Sequence, residues 1–536
     1  SDFKITLDLA LKALNMGKKI NFKMLVGYTL GTIALIYSSK GDQDSALEYA
    51  FKCLSNFQKL NFQVGVAHGH WLIGHIYSLK GNLNEALEFC EKCLMIEKIK
   101  RMNRVQTLYD LGKIYMSKGE LNKALQYIQQ SAKMAEETFN LYFLVLIRHN
   151  IGEIFRRKGE IDKAIEYYKE SLVLSEKMGN TVLMMHSLLS LLLVNIDKAC
   201  VEQAQKYLEH LQDLSDKHES TRVKHAYLLG KAIMLKISNR MADNADAARL
   251  LREIVDDDIH YPLYHLLAIV SLCDLLLKEL SMYNNLEIID EINPLIIKLF
   301  KIAENQHSYS WLAEGKLLQA KLVLIQMNIE GAKKLLTEAQ DIAKNHGLSL
   351  LSQKISKEHD NLLDQLDQWQ TLERNKAPIS DRIKLASVDG VIGRLQGKYA
   401  VEPSEIIEEQ PILLLIMSKG GITYFNHFFV PNWDHSELFS SFLSAFNTFS
   451  DEFFSKSIDR IRIGENTILL NPVEPFLACY VIKGQSYPAL QKLTRFTEEI
   501  RENMEIWKAL NKSAKTNEML ELDKPSALKT VIDEIF

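Results

Sequence analysis

Tyr37-Ser-Ser-Lys-Gly41 returns with small changes three times along the chain, as Tyr77-Ser-Leu-Lys-Gly81, Tyr115-Met-Ser-Lys-Gly119 and Phe155-Arg-Arg-Lys-Gly159. The four glycines stand at positions 41, 81, 119 and 159, so their spacing is nearly constant, and an alanine follows five positions after each of them. A fixed period of this length is typical of chains built from stacked supersecondary units. The stretch therefore predicts a repeat architecture for this part of the protein.

Each position of the repeated stretch has a structural role. Lys-Gly is expected to end a helix, because glycine accepts the left-handed conformation of a helix C-cap. The aromatic residue then lies near the end of this first helix, where we expect it to pack against the second helix. A small residue seven positions before each glycine is expected to face the alanine where the two helices cross. The small residues are Ala34, Gly74, Gly112 and Gly152, and the alanines are Ala46, Ala86, Ala124 and Ala164.

This combination resembles the tetratricopeptide repeat (TPR). Its unit of about forty residues is longer than the usual one and is similar to a TPR subgroup with longer helices found in signalling scaffolds. Repeats are predicted near 22–60, 62–100, 102–140, 142–180 and 181–219, with Ala199 in the place of the fifth glycine. Degenerate repeats are expected to 346 and a capping helix over 348–374, so that the array spans 1–376. The predicted fold class is mainly α: a right-handed TPR-type α-solenoid followed by a small α+β domain.

The opening helix aligns with the second helices of later repeats. Ala10 and Ala13 each fall one repeat period before Ala50 and Cys53. The matching first helix is missing, and an array rarely begins with half a unit. We therefore expect this chain to be a fragment or a processed form.

The sequence changes character after Pro378. Residues 377–410 are expected to be a linker, although the stretch 379–400 is ambiguous. From 411 to 536 the pattern predicts a ββαβββαα domain, which begins with a hairpin of the strands 412–417 and 422–430. Its helices are expected at 435–454, at about 486–511 and near 526–535. The strand 422–430 is apolar on both faces, with Tyr424 and Phe428 expected on one and Phe425 and Phe429 on the other. We therefore expect the hairpin near the centre of the sheet and the strand 459–463 at its edge.

This order of elements resembles the longin domain, a profilin-like sheet layered with helices, over roughly 411–536. The related roadblock fold begins with a helix, which residues 379–397 would supply, so both assignments stay open. Either resemblance implies docking of a small GTPase or of another longin or roadblock domain. The predicted docking edge carries Arg460 and Arg462, which alternate with Ile461.

Charge and motifs argue against several classes of function. The net charge of the chain is −4, and residues 377–536 hold 17 Lys and Arg against 22 Asp and Glu, which gives no basic surface for nucleic acid. Cys90 and Cys93 occupy helix positions that face neighbouring helices, which favours packing over metal binding. Gly393 and Gly397 are separated by three residues, whereas a phosphate loop needs four. We therefore predict a non-enzymatic cytoplasmic protein with no cofactor, no metal site and no membrane-spanning helix.

In the TPR family the first helix of each repeat lines the concave face, and this resemblance gives the candidate groove residues. They are Tyr28, His68, Trp71, His75, Tyr109, Lys113, His149, Glu153 and Arg156. Aromatic anchors in a groove suit an extended peptide or a helix, although Trp71 and Tyr109 could instead be half-buried between helices. The predicted function is a protein-interaction scaffold or adaptor, and the alternative is a ligand- or peptide-sensing TPR regulator of a signalling or transcription system.

Overall fold

The computed structural model describes residues 2–96, 101–137, 139–238, 240–257, 261–398, 409–418, 421–430, 460–463, 466–484 and 486–536. The chain forms two compact units. The array unit consists of Ser1–Ile355 and Asp367–Glu402, and the sheet unit consists of Ser356–Leu366 and Pro403–Phe536. The helix expected over 435–454 lies outside the described residues.

The array unit is a series of antiparallel helical hairpins that follow the predicted repeats. Its helices are α1 (Asp2–Lys19), α2 (Lys23–Lys40), α3 (Gln43–Lys59), α4 (Gln63–Leu79), α5 (Leu83–Leu94), α6 (Arg101–Ser117), α7 (Leu121–Glu137), α8 (Leu141–Arg157), α9 (Ile161–Met178), α10 (Thr181–Asp197), α11 (Val201–Lys217), α12 (Thr221–Lys236), α13 (Met241–Asp256), α14 (Pro262–Tyr283), α15 (Ile288–Asn305), α16 (Tyr309–Ile325) and α17 (Ile329–Asn345). From α2 onward, even-numbered helices are the first helices of the hairpins and odd-numbered helices are the second.

The two helices of a hairpin cross at the small residues. A Cβ atom built on Gly74 would lie 3.2 Å from the carbonyl oxygen of Ala86, and one built on Gly112 would lie 3.2 Å from that of Ala124. The four alanines of the motif are completely buried. The predicted contact between the small residue and the alanine is therefore confirmed at Gly74 and Gly112, and larger side chains there would separate the helices.

The aromatic residue of each motif stacks on an aromatic residue of the second helix. The ring centroids are 5.5 Å apart for Tyr37 and Tyr49, 5.8 Å for Tyr77 and Phe89, 5.4 Å for Tyr115 and Tyr127, and 5.5 Å for Phe155 and Tyr167. In all four pairs the partner follows twelve positions later. This confirms the predicted packing of the aromatic residue and adds a second fixed contact to every hairpin.

The end of the array differs from the expectation. The predicted capping helix is two helices, α18 (Ser349–Asp364) and α19 (Leu366–Arg374). The expected linker contains two more, α20 (Ile379–Ala386) and α21 (Val388–Leu395), which pack against α14 and α16. The linker prediction was wrong for these residues. Their apolar positions are spaced so that each of two short helices has one buried face, and runs this short are easily taken for a linker.

The array bends far enough to bring distant turns together. A Cβ atom built on Gly81 would lie 2.4 Å from the Tyr309 ring, and one built on Gly347 would lie 3.0 Å from the side-chain oxygen of Asn84. The missing side chain of Gly81 thus has two consequences. It permits the left-handed turn, with φ of 76°, and it leaves room for the Tyr309 ring. The superhelix of the array unit closes on itself around its concave face.

The sheet unit contains one antiparallel sheet of five described strands and three helices that follow it. The strands are β1 (Gln410–Ser418), β2 (Thr423–Phe428), β3 (Arg460–Ile463), β4 (Asn466–Val473) and β5 (Phe476–Lys483), in the spatial order β2-β1-β5-β4-β3. The helices are α22 (Ser486–Glu502), α23 (Met504–Thr516) and α24 (Ser526–Ile535). Among the described strands β3 lies at one edge, as predicted for the strand 459–463.

Two expectations for this unit were wrong. The helix predicted over 486–511 is interrupted at Asn503, whose side chain accepts hydrogen bonds from the backbone N–H groups of Glu505 and Ile506 and so starts a new helix. The hairpin does not lie at the centre of the sheet, because β2 forms the edge opposite β3 and β5 is the central strand.

One face assignment in the predicted strand 422–430 was also wrong, whereas Phe425 and Phe429 pack with the same apolar cluster as expected. Tyr424 and Phe428 were expected on the same face, yet Tyr424 packs with the apolar cluster beneath the helices and Phe428 with the cluster on the other face. The register of β1 and β2 shifts between Ile416 and Met417, which leaves Tyr424 as an extra residue. A bulge of this kind changes which face the following side chains meet.

Ala199 tests the role of the turn glycine. Its φ is 61°, so an alanine stands in the left-handed conformation that glycine adopts in the four preceding repeats. Because a Cβ atom is disfavoured there, Ala199→Gly is expected to raise the free energy of unfolding by about 0.5–1 kcal/mol. Ala245→Gly, at an exposed position inside α13, is the matched control and should lower it by about 1 kcal/mol. Urea unfolding measures both, and a loss of stability in Ala199→Gly would contradict this account.

Candidate functional site

A cavity of about 650 Å³ lies on the concave face of the array unit. Its walls come from the first helices α6, α8, α10, α14 and α16, from the start of α18 and from the end of α21. Five predicted groove residues line it together: Tyr109, Lys113, His149, Glu153 and Arg156. The regular repeat spacing places equivalent positions of neighbouring repeats side by side, which is why residues far apart in sequence meet here.

The floor of the cavity on α8 carries a network of paired charges. Arg157 donates to Glu153 (Nε–Oε1 2.7 Å), and Arg156 donates through Nε and Nη2 to Asp197 at 2.9 and 2.8 Å. Burial acts to raise the pKa of Glu153, but Arg157 and Arg156 outweigh it and hold this pKa below its ordinary value. The network is therefore charged and internally balanced at neutral pH.

Two histidines of the cavity are neutral hydrogen-bonding groups. Burial lowers the pKa of His149, and it lowers the pKa of His186 to about 3. His186 lies within 3.2 Å of the hydroxyl of Tyr264 through Nδ1, and its ring contacts that of Tyr261 with the centroids 4.9 Å apart. Aromatic rings and neutral polar atoms thus alternate along this wall.

His149 and Ser190 are 3.0 Å apart (Nε2–Oγ), a pairing that hydrolases use for nucleophilic catalysis. Two features argue against that chemistry. Ser190 lies in the middle of α10, where its backbone N–H is used by the helix and cannot stabilise an oxyanion. Among the described residues, no carboxylate hydrogen-bonds to Nδ1 of His149 to orient the ring. We interpret the pair as a contact between neighbouring repeats.

Lys113 is a cation that faces the cavity without a counter-charge of its own. Its ammonium group lies 5.8 Å from the centre of the Tyr109 ring, and no described carboxylate lies within ion-pairing distance of it. The neighbouring Asp110 is already occupied, because its Oδ2 accepts from Trp71 and lies 3.0 Å from His75 Nδ1. Lys113 is therefore available to an anionic group of a ligand.

The other four predicted groove residues do not line the cavity. Their rings form a continuous ladder along α2 and α4, with centroid distances of 5.7 Å for Tyr28 and His68, 5.4 Å for His68 and Trp71, and 5.6 Å for Trp71 and His75. Trp71 is only 6% exposed, and its indole N–H donates to Asp110 over 3.0 Å. The assignment of Trp71 as an exposed anchor was wrong, because this donation turns the ring into the interface between repeats.

Several cavity residues were missed by the sequence reasoning. They are His186, Tyr261, Tyr264, Trp311, Glu314 and Arg394. His186 could have been found by extending the repeat register from Leu146. Tyr264 and Trp311 lie in repeats whose motif has decayed, so no register was available. Arg394 belongs to the stretch taken as a linker, and no sequence signal placed it in the array.

No group of three or more His, Cys, Asp or Glu side chains within the described ranges is arranged to hold a metal ion. No helix in the described part of the chain has both the length and the apolar character needed to cross a membrane.

Comparison with known proteins agrees with the repeat fold. Residues 31–352 match the family model described as the MalT-like TPR region. No curated protein matches the chain. The apo form of RapI is 14% identical over 57% of this chain and 86% of its own, with a TM-score of 0.45.

Two further solved structures are similar at the same level. A Rap protein complexed with competence and sporulation factor is 12% identical, covers 69% of this chain and 99% of its own, and has a TM-score of 0.41. A signal transduction ATPase of the STAND class with a tetratricopeptide repeat sensor, from Pyrococcus horikoshii, is 16% identical over 58% of this chain and 50% of its own, with a TM-score of 0.40. Similarity at these identities concerns the helical repeat fold alone.

The buried ladder leads to a prediction for Trp71. Trp71→Ala removes a core side chain and its hydrogen bond to Asp110, so it is expected to lower the free energy of unfolding by about 3–5 kcal/mol. Trp311→Ala is the matched control. Because Trp311 is half-buried at the cavity wall, its removal should lower the free energy of unfolding by a smaller amount. Denaturant unfolding followed by circular dichroism measures both. An unchanged midpoint in Trp71→Ala would show that the ring does not hold the repeats together.

Proposed function

Because this chain belongs to the MalT-like TPR family, we propose that it is a non-catalytic binding protein whose array unit holds a short peptide, or a ligand of similar size, in the concave cavity. The observation that carries the proposal is the cavity of about 650 Å³, in which aromatic rings surround a few placed polar groups. Ligand pockets typically measure roughly 300–1,000 Å³ and have this mixed lining.

The size of the cavity restricts the length of the ligand. The array closes on itself and residues 394–397 occupy one side of the cavity, so a long extended peptide has less room than an open groove would give. Tyr109 and Trp311, both half-buried, offer ring faces for apolar or aromatic side chains. Lys113 offers a positive charge that forms no ion pair within 4 Å with a described carboxylate. A short peptide with an apolar residue and a nearby carboxylate fits these groups.

The cell compartment proposed for this protein is the cytoplasm. All six cysteines are free, and five of them are buried. Burial raises the pKa of Cys53 to about 12, which leaves this thiol protonated and unreactive. Unpaired thiols in a chain of this size suit a reducing compartment.

Charge reversal inside the cavity tests the proposed binding. Lys113→Glu is expected to weaken the binding of short acidic peptides at least tenfold, because it replaces the free cation of the cavity with a like charge. Lys133→Glu, on the exposed face of α7 in the same repeat, is the matched control and should bind as the unaltered chain does. Binding is measured by fluorescence polarisation against a library of labelled tetra- to hexapeptides. Equal binding by both variants, or no peptide bound by the unaltered chain, would contradict the proposal.

A sensing regulator remains the second candidate, and one observation favours it. The cavity is lined partly by residues 394–397, which lie outside the repeats and directly precede the part of the chain that leads to the sheet unit. A ligand in the cavity would therefore contact a segment connected to another unit. A scaffold has no need of such a connection, whereas a sensor does.

For the sheet unit we propose a longin-like docking domain that binds a small GTPase or another longin or roadblock domain. The support is the described order ββ, then βββ, then helices, with helices covering one face of a five-stranded antiparallel sheet. The short strand β3, which carries Arg460 and Arg462, pairs only with β4 among the described strands and leaves one strand edge for a partner.

Reversal of both arginines tests this docking edge. Arg460→Glu combined with Arg462→Glu is expected to weaken association with a small GTPase, or self-association, at least tenfold while the fold is kept. The combination Lys508→Glu and Lys512→Glu, at exposed positions of α23, is the matched control. The full chain is used, because Asp360 of α18 accepts a hydrogen bond from the backbone N–H of Ser486 at the start of α22. Purified GTPases loaded with GDP or a GTP analogue are tested by biolayer interferometry, and self-association by light scattering; a monomer that binds no GTPase would refute the docking role.

A further inference from the structure

Residues 379–397 lie on the concave face of the array, where a TPR protein would hold a ligand. Helices α20 and α21 pack on α14 and α16. Six apolar residues of the segment are almost fully buried. They are Ile379, Ala386, Val388, Val391, Ile392 and Leu395. The contact has the form of a short amphipathic helical segment in a groove.

Two charged side chains of α16 hold this segment. Glu314 accepts a bidentate pair of hydrogen bonds from Arg394, with Nε–Oε1 at 2.5 Å and Nη2–Oε2 at 2.8 Å. Two turns further along the helix, Lys321 donates to the carbonyl oxygen of Ala386 over 2.6 Å. Glu314 and Lys321 are 7% and 4% exposed, so neither charge is well hydrated.

The burial of these charges fits an occupied groove. A buried carboxylate or ammonium group without a partner costs several kcal/mol, because its hydration is lost and nothing replaces it. The Arg394 guanidinium and the Ala386 carbonyl, which replace part of that hydration, both come from the segment. The concave face of α16 is therefore matched to the chemistry of the segment.

Polar contacts also anchor α20, beside its apolar packing. The backbone N–H of Ile379 donates to the side-chain oxygen of Asn284 over 2.6 Å, and Arg382 Nη1 donates to the carbonyl oxygen of Ile325 over 3.3 Å. At the other end, a Cβ atom built on Gly397 would lie 3.4 Å from Glu153 Oε1. The segment thus spans from the last repeats to the charge network on the cavity floor.

We propose that the concave face of α14 and α16 is a docking groove for a short amphipathic helical segment bearing an arginine, that residues 379–397 are its intramolecular occupant, and that this segment docks and leaves as one unit. Departure of the segment removes residues 394–397 from the cavity wall and opens the cavity. A ligand that contacts these residues binds the docked state more tightly and holds the segment in place. This last consequence rests on the proposed function, whereas the docking groove does not.

Hydrogen exchange on the full chain tests docking. Arg394→Glu places a carboxylate against Glu314, so the amide hydrogens of 388–395 are expected to exchange at least 100-fold faster. Those of α8 should keep their rates, because the repeats hold α8 without the segment. Arg252→Glu is the matched control, since it reverses an exposed arginine that lies 3.2 Å from Glu291, and it should leave 388–395 protected. Unchanged exchange in Arg394→Glu, or equal acceleration in α8, would overturn the proposal, because the segment would then be an inseparable part of the core.

A peptide supplied from outside tests the groove itself. A fluorescein-labelled peptide of residues 377–398 is expected to bind the full-length Arg394→Glu variant at least tenfold more tightly than the unaltered chain, whose own segment fills the groove. The same peptide with Arg394→Glu should bind neither. Equal binding to both proteins, or no binding to the variant, would overturn the assignment. Because no cavity ligand is used, failure here is distinct from failure of the Lys113→Glu peptide test.

Discussion

The close crossing of two helices at a pair of small residues is the constraint on which the array depends. At Gly112 a Cβ atom would lie 2.2 Å from Ile128 Cγ1 and 3.2 Å from the Ala124 carbonyl oxygen. The backbones can approach this closely only where one side carries no side chain. The stacked aromatic pair of each hairpin then fixes how the two helices are rotated. Because the aromatic stack recurs in the four hairpins from α2 to α9, these hairpins are placed on one another in nearly the same way, and a curved array results.

Curvature has a functional consequence, because it concentrates polar side chains on the inner face. Arg156 reaches Asp197 of the next repeat, and His149 reaches Ser190 of the same neighbour. Such contacts cross the boundary between repeats and therefore fix their angle as well as their distance. The charges of α8 are paired, while Lys113 forms no ion pair within 4 Å with a described carboxylate. We infer that the paired charges of α8 shape the concave face, whereas Lys113 is able to bind a ligand.

The last repeats use the same surface differently. Glu314 and Lys321 are buried charges on a first helix, at positions that face the concave side, and they bind residues 394 and 386. On α8, by contrast, the buried Arg156 is paired with Asp197 of a neighbouring repeat. The charges of α16 are paired with a segment beyond the array. The energetic cost of burying them couples the stability of the last repeats to the presence of that segment.

The sequence by itself determined the repeat, because the motif consists of short-range requirements: a glycine for a left-handed turn, small residues for a close crossing and an aromatic residue for a stack. It also predicted the strands of the sheet unit and the edge position of β3, since charge alternation on a short strand is a local signal. It did not determine the position of β2, because strand order depends on pairing between distant segments and the bulge at Tyr424 changes which face each side chain meets.

Five of the groove residues predicted from the register line the cavity, whereas Trp71 is buried between repeats, because the burial of a ring depends on its neighbour on the next repeat, here Asp110. Only the tertiary structure could show that residues 379–397 fold back onto α14 and α16. The contacts of Lys321 with Ala386 and of Glu314 with Arg394 span sequence separations of 65 and 80. Such contacts form only when the array has curved, so no local pattern in the sequence could predict them.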